Sequence, residues 1–442
     1  MRYIQNTPED RRLMLDAAGV REFKDLIREI PEGLLLKEPL SLPPALSEMD
    51  LMAELKEIAA LNADASEYAC FMGGGAYDHF IPSAVRSITS RSEFATSYTP
   101  YQAEASQGTL QAAFEYQSMV CELTGMGAAN ASMYDGASAM AEAALMAQRL
   151  TKRREVAVSR AAHPNYRQAL KTYMRGVKSP VVEIPCDAVS GTTDMQALVQ
   201  DIGADTAAVI IQYPNFFGCI EDLKTAAQTA HEKGALLVAA IDPVALGILK
   251  SPGELGADIV VGEGQGLGKS MSFGGPYLGI FACREDFIRQ MPGRIVGETK
   301  DRRGNRGYVL TLQTREQHIK RERATSNICT NEALVALTAA VYLSLMGGRG
   351  LREAASLCLQ KSHYALDELK KKGIKPAFNA PFFKEFAVSV KDIKTLNKRL
   401  LKSNIIGGLD LGDYYPELSG RMLIAVTEKR TRAEIDRLVS SF

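Results

Sequence analysis

Short apolar runs alternate with amphipathic helical stretches through the middle of the chain. REVAVS (154–159), TAAVIIQY (206–213), ALLVAAID (235–242), ADIVVG (257–262) and YLGIFACR (277–284) are nearly continuous in apolar residues. That is the pattern of strands buried on both faces. Helical periodicity fills several of the gaps, as in PNYRQALKTYMRG and DLKTAAQTAHEKG, the latter closing on Gly234 as a natural C′ residue. Strand–helix alternation predicts a largely parallel sheet covered on both faces. The last runs lie too close together for helical crossovers, so part of the sheet is expected to be antiparallel.

The flanks read differently. NTPEDRRLMLDAAGV offers Thr7 as N-cap, Pro8 at the first helical position, and Glu9 and Asp10 in the first turn. PEGLLLKEPLSLPPALSEMD is proline-rich and extended, which suits an arm lying over another surface. SEMDLMAELKEIAALNA then reads as a helix capped by Ser47. After residue 325 come two helical stretches, NEALVALTAAVYLSLMGG and LREAASLCLQKSHYALDELKKKG. Two strands, KEFAVSV and RMLIAVTE, and a closing helix with a capping box from Thr431 to Glu434 follow. The expected organisation is a helical arm over 1–65, a large α/β domain over 66–325, and connecting helices with a small α+β domain over 326–442.

Composition narrows the function classes. Of 442 residues, 46% are apolar and 24% charged, as in soluble globular chains. Basic and acidic residues balance at 52 each, which leaves no global electrostatic footprint for nucleic acid or an anionic membrane. The seven cysteines form no C-x-x-C pair and lie near no histidine cluster, which argues against a zinc site or a disulfide framework. The odd count fits a reducing cytoplasm. The start, MRYIQNTPEDRRLML, is too charged for a signal peptide, and no apolar run reaches membrane-spanning length.

Ligands of open α/β sheets sit beyond the carboxyl ends of the strands. Asp242 follows one such strand, where a carboxylate can hold a pyridinium nitrogen protonated; Asp-Pro is equally a common turn. His163 follows another strand and can stack on a cofactor ring or simply start a helix before Pro164. Ser138, after Gly136, stands at a helix N-terminus suited to phosphate, although Asp135 beside it would repel one. Asp78 and His79 form an acid–base pair only if neighbours in sequence face the same way. The stretch around Tyr98, Tyr101, Gln102, Ser106 and Gln107 is dense in polar and aromatic groups ahead of a helix from about Thr109. It is either a contact loop or a packed helix entry. Lys269 is the lysine of a loop holding Glu263, Gln265 and six glycines between Gly262 and Gly275, a poor rigid mount for a catalytic amine.

Three segments carry a resemblance: GGGAYDHFIPSAV…TSYTPYQAEASQGTLQAAFEYQSMVCELTGM from Gly73 to Met126, NAS at 130–132, and ATSNICTNEAL at 324–334. The chain resembles the glycine decarboxylase P-protein of the glycine cleavage system over nearly its whole length. Its length resembles that of subunit 1, the N-terminal half of a P-protein divided between two chains. The resemblance implies the pyridoxal-phosphate-dependent transferase fold of the aspartate-aminotransferase type, and two homologous halves forming a dimer. It implies decarboxylation of glycine on pyridoxal phosphate and transfer of the aminomethyl group to the lipoyl arm of H-protein.

In the active half of that family a His-Lys dipeptide follows a G-A-D strand. Counted from Asp258 in Gly256-Ala257-Asp258, the corresponding places here hold Gln265 and Gly266, and Lys269 comes three residues late. The resemblance therefore implies a subunit without the cofactor lysine, paired with the homologous subunit 2 that carries it. Ser138, His163 and Asp242 become remnants of a cofactor site, and Tyr98, Tyr101, Gln102, Ser106 and Gln107 are expected to line the partner's site across the interface. Two other readings stand beside this one: a self-sufficient pyridoxal-phosphate lyase or aminotransferase using Lys269, and a non-catalytic homodimer.

Overall fold

The computed structural model describes residues 5–38 and 40–442. The start of the chain through Ile4, and Pro39 in the proline-rich stretch, lie outside the described residues. The chain divides into two compact units, Met1–Asn62 and Ala63–Phe442.

In the first unit, Thr7 caps the helix Pro8–Ala17. Its hydroxyl accepts from the Asp10 N–H, while the Asp10 carboxylate accepts from the Thr7 N–H. Ser47 caps the helix Glu48–Ala59 in the same way through Asp50 N–H. Neither helix buries a residue, and Leu34, Leu36, Leu42, Met49 and Leu61 are exposed.

The second unit opens with β1 (Ala69–Cys70) and holds a seven-stranded sheet. Its strands are β2 (Ala128–Ala129), β3 (Glu155–Ser159), β4 (Val181–Ile184), β5 (Thr206–Tyr213), β6 (Leu236–Ile241), β7 (Ile259–Glu263) and β8 (Gly279–Cys283), in the spatial order β2-β8-β7-β6-β5-β3-β4. From β4 through β3, β5 and β6 to β7 the pairing is parallel; β8 is antiparallel to β7 and β2. The connection into the antiparallel strand, 264–278, holds no α-helix. Both faces are covered, which is why the runs are continuous rather than alternating. On one face lies the helix Gly136–Thr151, whose Ala139, Ala143, Ala144 and Ala147 pack against Val158, Ile210 and Val261. Small side chains there allow the close approach.

A hairpin of β9 (Ile295–Lys300) and β10 (Arg306–Thr311) follows. One helix, Ala333–Lys371, then spans both predicted helical stretches and breaks at Gly347, where φ is +58°. By length and composition alone it is apolar enough to cross a membrane, which a reading of the shorter runs misses. Its apolar residues Val335, Ala336, Ala339 and Tyr342 instead join the core of the sheet. The C-terminal lobe is a three-stranded sheet of β11 (Glu385–Ser389), β13 (Leu409–Asp410) and β14 (Arg421–Ala425), while β12 (Ile405–Ile406) pairs in parallel with β1. Thr431 and Glu434 form the expected capping box on the last helix, Arg432–Ser440.

Candidate functional site

The carboxyl ends of β3, β5, β6 and β7 converge on one small polar cavity lined by His163, Asn215, Asp242 and Glu263. Asp242 stands just after β6. Its Oδ1 accepts from the Val244 N–H at 3.1 Å, as a turn starter does, and its Oδ2 accepts from Lys384 Nζ at 2.7 Å.

His163 caps the helix Pro164–Gly176 with its own ring, Nδ1 accepting from the Asn165 N–H at 3.1 Å. Nε2 therefore carries the proton and donates to the Gly74 carbonyl at 2.7 Å. Burial pushes the imidazole pKa down to about 4, which keeps it neutral. Its face is already stacked: the Tyr166 ring lies 4.5 Å away at 14° to it.

The helix Gly136–Thr151 begins two residues before Ser138. Asp135 is the N-cap and Ser138 the third helical residue, with Asp135 Oδ1 accepting from Ser138 N–H at 2.7 Å. Glu263, at the end of β7, accepts from the Gly136 N–H at 3.1 Å and from the N–H groups of Gln265 and Leu278. Burial pushes the Glu263 carboxyl up to about 8 against those three bonds. Tyr166 reaches the same helix end: a Cβ on Gly136 would lie 2.5 Å from its hydroxyl. Two of the N–H groups at this helix end are thus already held, that of Ser138 by Asp135 and that of Gly136 by Glu263.

Four residues that sequence reading passes over complete the cluster. Lys384, only 1% exposed, sits one residue before β11 and points into the cavity. Its ammonium donates to Asp242, donates to His79 Nε2 at 2.9 Å, and lies 3.4 Å from the centre of the Tyr77 ring. With Nε2 accepting, His79 donates from Nδ1 to Glu428 Oε2 at 2.7 Å. Tyr77 donates to Glu385 Oε2 at 2.8 Å, and the Gly74 N–H donates to Glu385 Oε1 at 2.7 Å. Burial raises the Glu385 carboxyl to about 7. Asp78 faces away from His79, to Lys429 at 2.6 Å and Arg430 at 2.9 Å, so the two are not an acid–base pair. No local signal marks Lys384: in KEFAVSV it reads as the polar first position of an ordinary strand.

Gln265 and Gly266 lie against the same cluster. Gln265 binds the backbone of Tyr77 in both directions, at 2.9 and 3.0 Å, and its amide also reaches the Lys269 carbonyl. A Cβ on Gly266 would lie 3.1 Å from His79 Cδ2, so His79 stands in the room a side chain there would need. Lys269 lines a different, open groove with Asp78, Phe80 and Phe273.

Pyridoxal phosphate does not fit this arrangement. The ring face of His163 is covered by Tyr166, Asp242 is paired with Lys384, the Gly136 and Ser138 N–H groups are bonded, and position 266 has no amine. The remaining cavity is about 30 Å³, room for a water or two.

The Tyr98–Gln107 loop lies elsewhere. Tyr98 and Tyr101 are exposed, at 76% and 56%. Tyr101 packs edge-on against His318 at 5.9 Å, with the Arg294 guanidinium 5.7 Å from its ring centre. Gln102 is exposed. Ser106 occupies the N-cap position of the helix Gln107–Thr124 without a capping hydrogen bond, so the helix begins two residues ahead of Thr109. Gln107 is committed internally, exchanging two hydrogen bonds with the backbone of Tyr308 in β10.

The family described as Glycine cleavage system P-protein matches residues 1–442. A protein named probable glycine dehydrogenase (decarboxylating) subunit 1 from Desulforamulus reducens is 56% identical over 442 residues, covering all of this chain and 99% of that one. A crystal structure of glycine decarboxylase (P-protein) of the glycine cleavage system, in inhibitor-bound form, superposes with TM-score 0.91 at 42% identity, covering 100% of this chain and 99% of the other. The sphingosine-1-phosphate lyase of Burkholderia pseudomallei shares the fold alone, at TM-score 0.66 and 15% identity over 93% of each chain. The fold is the aspartate-aminotransferase type of the pyridoxal-phosphate-dependent transferases, as the sequence led us to expect.

Proposed function

The chain belongs to the glycine cleavage system P-protein family, and from that premise we propose that it is subunit 1 of a two-chain glycine dehydrogenase (decarboxylating). It pairs with a homologous subunit 2, and pyridoxal phosphate is bound covalently by subunit 2 alone. The observation that carries this reading is the pairing of Lys384 with Asp242, at 2.7 Å, beside a position 266 that has no amine.

This chain contributes surface rather than chemistry. The loop carrying Tyr98, Tyr101 and Gln102 forms part of the wall of the partner's site, which its exposed polar and aromatic groups support. The apolar side chains displayed by the first unit support an interface with a partner. Glycine is the substrate of the assembled pair, and the lipoyl arm of H-protein takes up the aminomethyl group. All seven cysteines are free thiols, in keeping with a cytoplasmic protein.

The test uses both subunits, purified apart and together, with pyridoxal phosphate and borohydride. The expected result is a pyridoxyl label on subunit 2 only, with glycine decarboxylation only in the mixture. A label on Lys269 with turnover by this chain alone would overturn the reading.

A further inference from the structure

We propose that Lys384 is a built-in ligand of the old cofactor pocket. Its ammonium stands in for a ring cation at Asp242 and bolts the C-terminal lobe to the sheet. Without the lysine side chain, the same pocket becomes a binding site for a small primary alkylammonium ion.

The geometry specifies each part. The donor contacts of the ammonium go to a carboxylate at 2.7 Å and an imidazole nitrogen at 2.9 Å, and its open side rests on an aromatic face 3.4 Å from the ring centre. A carboxylate, a neutral acceptor and a π-face are the features that recognise an ammonium group. The ammonium and its three partners come from three segments far apart in the chain. Asp242 follows β6 of the large sheet, Tyr77 and His79 belong to the loop after β1, and Lys384 leads into β11 of the C-terminal lobe. His79 extends the contact to Glu428, just after β14. Removing the lysine leaves Asp242 buried without its cation and separates these segments at their common point. The flexible aliphatic stem of the lysine, rather than a covalently mounted ring, is what fills the space. A two- to four-carbon amine has the same end group and a comparable stem. The rescue stands on contacts within this chain, whereas the likeness to a cofactor ring rests on the proposed function.

The experiment is chemical rescue of the full-length chain. Lys384→Ala is expected to lower the melting temperature by on the order of 5 °C. Propylammonium chloride at tens of millimolar should restore much of that loss saturably in the variant and leave the unsubstituted chain unmoved. Potassium chloride and 1-propanol should do neither. Absence of rescue by the amine, or equal rescue by propanol or by potassium chloride, would overturn the proposal. If Lys384→Ala does not fold, Lys384→Met is compared with Lys384→Met/Asp242→Asn. Removing the stranded carboxylate should recover most of the stability lost in the single variant, and failure to recover it would also overturn the proposal.

Discussion

His79 and Gly266 share one space: a Cβ on Gly266 would lie 3.1 Å from the imidazole Cδ2 of His79. Position 266 is therefore crowded from the opposite side, by a histidine held between Lys384 and Glu428. Restoring a lysine here means displacing a buried, doubly bonded ring. Gly266→Ala should cost about 1 kcal/mol as His79 shifts by a few tenths of an ångström, and Gly266→Lys about 1–3 kcal/mol. Borohydride reduction with pyridoxal phosphate should leave residue 266 of the Gly266→Lys chain unlabelled, as read by peptide mass spectrometry. A pyridoxyl group at that position would show that the pocket can reopen.

The exposed tyrosines make a contrasting prediction. Tyr98→Phe and Tyr101→Phe remove a hydroxyl each from rings that contribute little to the packing of this chain. Each should lower kcat/KM of the assembled pair by about three- to tenfold, the size of one lost hydrogen bond, with an unchanged melting temperature. Full activity in both variants removes the loop from the partner's site.

Gln107 in the same stretch should behave in the opposite manner. It ties the first turn of its helix to β10 through two bonds with the Tyr308 backbone. Gln107→Leu should destabilise the chain by about 1–3 kcal/mol, because the backbone groups of Tyr308 lose their partner. Denaturant melts of the isolated subunit read this directly. A loss of activity at unchanged stability would make Gln107 a site residue instead.

The buried carboxyl of Glu385 sets a pH dependence. Burial raises its pKa from 4.5 to about 7, despite the bonds from Gly74 and Tyr77. Between these values the folded chain holds a proton that the unfolded chain has released, so this group's contribution to stability falls as pH rises from about 4.5 to about 7. Glu385→Gln should flatten that part of the profile. The measurement is the difference in melting temperature between the two chains across that range, and a constant difference counts against the assignment.

Much of the fold is legible along the chain because burial on two faces leaves a local trace. A strand covered by helices on both sides must be continuously apolar, so β3, β5, β6, β7 and β8 are visible as runs. The antiparallel β8 follows a link, 264–278, that holds no α-helix. Caps at Thr7, Ser47 and Thr431 are equally local, since each side chain bonds a backbone group three residues on. Part of the site is legible for the same reason, since Asp242 and His163 stand where strands end. Ser138 lies in the first turn of its helix, as the pattern indicates, and only the backbone dihedrals make Asp135 rather than Ser138 the N-cap.

The sequence by itself determined five of the seven strands of the large sheet, an antiparallel portion within it, the family, and the absence of an amine at position 266. Only the tertiary structure decided what fills the gap. Lys384 meets His79 across 305 residues of chain, and no periodicity records which buried cation will face which carboxylate. Secondary structure follows the solvent exposure of neighbours a few residues apart, whereas an ion pair at the junction of two lobes depends on where distant segments come to rest.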